Sequence, residues 1–163
     1  MKKSIKKKII VISSVSIVVA VLLFTINFQP FQTSKDSYSN YLKTAIDKSV
    51  KLTRTYQDEI ALWQRGNYSN ATMAKITQTY LPQFTKQLED FNDTKASEKY
   101  GEVKDNFVKS FSNEIKSYEL FRDYLITNNS TANELSNDYL SEALNYETIA
   151  RNAFTAAVTN NSR

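Results

Sequence analysis

Apolar residues recur at steps of three and four along most of this chain, and brief clusters of Asn, Ser, Thr and Gly break the rhythm. Four stretches carry the helical period. The first runs from about Lys35 to Arg65, with Tyr38, Leu42, Ala45, Ser49, Leu52, Tyr56, Ile60 and Trp63 in register, and Gly66 is placed to end it. The second opens after Ser69 or Asn70, either of which can cap exposed amides, and carries Met73, Ile76, Tyr80, Phe84, Leu88 and Phe91. Pro82 falls inside it, which predicts a kink or a break near Tyr80.

The third stretch extends from about Ser97 to Ile126, with Tyr100, Val103, Phe107, Phe111, either Glu114 or Ile115, Tyr118, Phe121 and Leu125 on its apolar side. The fourth, from about Thr131 to Val158, offers Leu135, Tyr139, Ala143, Tyr146, Ala150, Ala153 and Ala157, widened by Leu140, Leu144, Ile149 and Phe154. No strand-like alternation competes with these patterns. Short connections force successive helices to pack antiparallel, so residues 35–158 are expected to form an up-down-up-down four-helix bundle, with a polar tail at residues 159–163.

Residues 9–28 follow a different pattern: 20 positions without a formal charge, dominated by Ile, Val, Leu and Phe. As a helix they reach roughly 30 Å, the thickness of a bilayer's hydrocarbon core. Residues 1–8 hold Lys2, Lys3, Lys6, Lys7 and Lys8, and no comparable basic cluster follows the apolar run. The positive-inside rule then puts the N-terminus in the cytoplasm and the bundle outside, beyond a joint at residues 29–34. The exit reads Asn27, Phe28, Gln29, Pro30, without the pair of small residues that a cleaved signal peptide carries, which favours an uncleaved signal-anchor. The expected fold class is therefore all-α, a transmembrane helix followed by an antiparallel bundle.

Composition changes this picture only at the edges. Two Gly and two Pro in 163 residues are too few for the turns of a β-sandwich or barrel. The net charge of +4 disappears once the five leading lysines are set aside, leaving 16 basic against 17 acidic residues in the rest. A surface of mixed sign offers no footprint for phosphate backbones, so no nucleic-acid partner is expected. The chain has neither Cys nor His, which removes thiol and Ser-His nucleophiles and the usual ligands of zinc, haem and iron-sulfur clusters. Neither an enzyme activity nor a cofactor is expected.

What remains is a short set of candidates. Trp63, the single tryptophan, and Tyr68 fall at the end of the bundle farthest from the anchor and are candidate partner contacts; the competing reading makes Trp63 a core aromatic closing that end. Asn-x-Ser/Thr sequons at Asn67, Asn70, Asn92, Asn128, Asn129 and Asn160 all fall in turns or the tail, where glycosylation and helix capping want the same residue types. Glu134, Asp138 and Glu142 line one ridge of the last helix and read as a solvated acidic face, no metal being expected. Beyond membrane lipid against residues 9–28, a protein partner or a homo-oligomer is the expected company, and Ser13, Ser14, Ser16 and Ala20 allow close helix approach in the anchor. The sequence thus predicts a membrane-anchored interaction or structural module, with a ligand-sensing ectodomain working through a separate membrane partner as the alternative.

Overall fold

A computed structural model describes residues 37–159. Among them the chain forms four α-helices and no strand: α1 Ser37–Gln64, α2 Asn70–Asn92, α3 Gly101–Thr127 and α4 Ser130–Thr159, with one 3-10 turn, Glu98–Tyr100, leading into α3. The expected bundle residues are thus helical close to the boundaries set by periodicity. The apolar run and the lysines before it lie outside the described residues.

Hydrogen bonds between successive helices fix their directions. Tyr41 donates to the Asp90 carbonyl and Tyr56 pairs with Thr77, so α1 and α2 run antiparallel. Arg122 reaches Gln78 near one end of the α2–α3 pair, and Lys104 reaches the Thr94 carbonyl near the other. Ser110 donates to the Ala143 carbonyl, and Ser136 to that of Ser117, which aligns α4 against α3 in the same way.

Each end signal has a local cause. Gly66 takes a φ of +82°, and the amides of Gly66 and Asn67 return to the carbonyls of Trp63 and Leu62, closing α1 with a Schellman motif. Ser69 caps α2 by accepting from the Thr72 amide at 3.1 Å. Asn128 ends α3 in the left-handed conformation, φ 57°, and the Asn129 side chain then accepts from the Thr131 amide to start α4.

Of the kink or break expected near Tyr80, the break does not occur: α2 runs without interruption from Asn70 to Asn92 with Pro82 inside it. The proline and Gln78, the residue four places before it, are both exposed. The carbonyl that loses its intrahelical donor there can turn to water, so the missing bond costs little.

The core divides into two apolar clusters. Leu42, Ile46, Phe91, Tyr100, Val103, Phe107, Ala150 and Phe154 gather residues from all four helices, the 3-10 turn included. Tyr56, Ile60, Met73, Ala74, Leu81, Phe84, Tyr118, Phe121 and Leu125 draw on α1, α2 and α3 alone. Here α4 lies along α3 through small residues, with Ala132, Ser136 and Ala143 buried and Ser117 facing them. A serine hydroxyl that bonds a carbonyl of the facing helix requires the two backbones to come close, and no larger residue fits there.

Adding a Cβ at Gly66 meets nothing within 4 Å, so Gly66→Ala tests the backbone alone. Urea denaturation is expected to show a loss of about 1–2 kcal/mol for Gly66→Ala and a smaller loss for Gly66→Asn, which tolerates the left-handed region.

Candidate functional site

Between the two apolar clusters, at mid-bundle, the interior turns polar. Ser49 and Thr53 of α1 and Ser110 and Glu114 of α3 are all buried at this level. Helical spacing explains the layer: each pair is three or four residues apart and sits in the apolar stripe of its helix, between Ile46 and Tyr56 on α1 and between Phe107 and Tyr118 on α3.

Glu114 is the chemical centre of this layer. Its side chain is only 6% exposed, yet its Oε1 accepts two hydrogen bonds, from Thr53 Oγ1 at 2.9 Å and from the Tyr118 hydroxyl at 2.7 Å. The Tyr118 ring meets Tyr56 edge to face at 4.6 Å and packs on Phe84 at 5.0 Å. Tyr56 in turn reaches α2, its hydroxyl lying 2.8 Å from Thr77 Oγ1. Because Thr77 gives its own proton to the Met73 carbonyl, Tyr56 is the donor in that pair. The carboxyl thus joins α3 to α1 through Thr53, while Tyr56 ties α1 to α2 through Thr77.

A cavity of about 10 Å³ adjoins the carboxyl, lined by Ser49, Thr53, Ser110, Glu114 and Glu147 with apolar walls from Ile46 and Phe107. That is room for about one water molecule. Glu147 brings α4 to this space and is itself paired with Arg151, whose Nε donates at 2.7 Å.

Burial pushes the Glu114 carboxyl up to about 7, against the pull of its hydrogen bonds to Tyr118 and Thr53, and the charge of Glu147 adds to the rise. Burial also raises the hydroxyls of Tyr118 and Tyr56 well above the usual tyrosine value, so both remain proton donors. The arrangement can therefore take up and release one proton near neutral pH. Its cavity is too small for an organic ligand.

The residues singled out by sequence lie elsewhere. Trp63 is half-buried, with its ring edge-on to Phe121 at 5.4 Å and its Nε1 donating to Asn70 Oδ1 at 2.9 Å. Tyr68, also half-buried, packs on the same cluster, and the nearby Glu59 raises its hydroxyl above the usual tyrosine value. The two come together at one end of the bundle, about the turn between α1 and α2. Among the sequons, Asn67 is exposed in that turn, Asn70 holds Trp63, Asn92 is exposed at the end of α2, and Asn128 and Asn129 shape the α3–α4 turn. Asn160 lies outside the described residues. Glu134, Asp138 and Glu142 are exposed, and no group of three or more acidic side chains among the described residues is gathered closely enough to hold a metal.

Glu114 was within reach of sequence reasoning, as the one acidic residue that falls in the apolar register of the third helix. The choice between Glu114 and Ile115 for that register needs the neighbouring helices, and the structure buries the acid. Comparison with protein-family models, with curated proteins and with solved structures finds no match.

The pH dependence of stability follows from the direction of the Glu114 shift. Unfolding returns this group to the ordinary carboxylate range, so between that range and about pH 7 the folded state holds the extra proton and stability falls as pH rises. From pH 5 to pH 8 the loss is expected to be on the order of 3 kcal/mol in urea titrations, and Glu114→Gln is expected to flatten most of that slope.

Proposed function

We propose that this chain is a non-enzymatic interaction or structural module held at the outer face of a cell membrane. The observation that carries the reading is the uncharged apolar run of residues 9–28 behind Lys2, Lys3, Lys6, Lys7 and Lys8. No helix among the described residues is long and apolar enough to cross a membrane, so the anchor in this reading is that run alone.

The bundle then projects outward from the joint at residues 29–34, and the turn carrying Trp63 and Tyr68 becomes its far end. That end combines two half-buried aromatic side chains with the exposed polar residues Gln64, Arg65 and Asn67. Aromatic residues within a polar rim are what a protein partner engages most strongly.

The absence of native Cys makes single-cysteine labelling a clean test. Lys95→Cys, in the exposed α2–α3 connection, is expected to react with a membrane-impermeant maleimide on intact cells, and Ser4→Cys only after lysis. A crosslinker mounted on Tyr68→Cys is expected to join the chain to a second protein. Equal reaction of Ser4→Cys on intact cells contradicts the topology, and the absence of any crosslink in native membranes contradicts the contact role.

A further inference from the structure

The layer around Glu114 is held unevenly. On one side α3 and α4 are tied by serine hydroxyls that bond each other's backbone, Ser110 to Ala143 at 2.8 Å and Ser136 to Ser117 at 2.9 Å. On the other side α1 reaches Glu114 through the single hydroxyl of Thr53, next to a cavity whose α1 wall is formed by Ile46, Ser49, Val50 and Thr53. Both hydrogen bonds to the carboxyl arrive on the same oxygen, Oε1. The two donors thus serve one oxygen of a group that, once ionised, spreads its charge over two.

We propose that Glu114 is a proton-operated latch for α1: with the carboxyl protonated, α1 stays seated against α3 and α4, and with the carboxylate formed, water enters beside Thr53 and α1 loosens. The proton on the carboxyl satisfies the second oxygen when the layer is closed. Its loss to solvent leaves a charge that the Thr53 and Tyr118 donors do not fully satisfy.

The other groups facing the carboxyl sharpen this response. From α4, Glu147 repels the carboxylate across the cavity, moderated by its pair with Arg151. From α3 and α1, Tyr118 and Tyr56 stay neutral, and from α2 Tyr80 and Phe84 pack against Tyr56 without adding charge. The charged side chains of Asp47, Lys51, Arg54 and Asp58 stand on the exposed side of α1, beyond Val50. No cation lines the cavity to neutralise Glu114 in place. Hydration is the remaining way to accommodate its charge, and α1, the helix with the weakest hold at this level, is the one that moves.

Amide hydrogen exchange on the full chain in detergent, corrected for the intrinsic effect of pH on exchange, reads this directly. Between pH 5 and pH 8 the protection of α1 amides from residue 46 to residue 56 is expected to fall at least about tenfold, with a smaller change for residues 110–117 of α3. Glu114→Gln is expected to keep α1 protected at both pH values. Two further variants hold the idea to account if that one fails to fold. Thr53→Val removes a donor to the carboxylate and is expected to move the midpoint of the loss to higher pH, and Glu147→Gln removes the repelling charge and is expected to move it lower. Protection of α1 that does not change with pH, or midpoints that stay put in both variants, would overturn the latch.

Discussion

One carboxyl group enclosed at the middle of a helical bundle sets the terms for much of what surrounds it. Among the described residues no cation lines the space beside Glu114, and its burial is tolerated because Thr53 and Tyr118 hydrogen-bond one oxygen and the group keeps its proton to near neutrality. An unpaired charge at such a site costs far more than a hydrogen bond returns. The polar layer of Ser49, Thr53, Ser110 and Glu114 therefore separates the two apolar clusters, and above it Tyr118 meets Tyr56 edge to face, with Tyr56 hydrogen-bonded to Thr77 of α2. The same demand for satisfied polar groups shapes the α3–α4 seam. There, buried serines find partners in the facing backbone.

The helices were legible because their apolar stripes are long and their ends are signalled by chemistry with one meaning. Gly66 has to be the residue at a positive φ, and Ser69 is the cap its position promised. Pro82 misled because sequence shows that a donor is missing and is silent on whether the orphaned carbonyl faces water, which here it can. The polar layer was less legible for a related reason. Ser110, Ser117, Ser136 and Thr53 look the same in sequence whether they face solvent or a neighbouring helix, and only the facing backbone decides. Ser49 fell in the apolar register, yet as a small residue it gave no hint of a site.

Two parts of the chain carry different kinds of information. In the proposed reading residues 1–28 set the location, through a basic tip and an uncharged apolar run whose meaning depends on composition and order alone. The bundle holds the chemistry, and it resides in placement: an acid like many others on the chain becomes distinct by being the one enclosed by three helices beside a water-sized space. Trp63 shows the same dependence. Its ring is half-buried on Phe121 and its indole nitrogen is held by Asn70, so the aromatic end is braced from both sides.

The central claim is that Glu114 keeps its proton to near neutral pH because the fold encloses it. Carbon-13 NMR of the full chain labelled at glutamate carboxyls, with Glu114 assigned by its loss in Glu114→Gln, measures this directly. The expected result is a Glu114 carboxyl resonance with a midpoint near 7. A Glu114 midpoint in the ordinary carboxylate range would contradict the account.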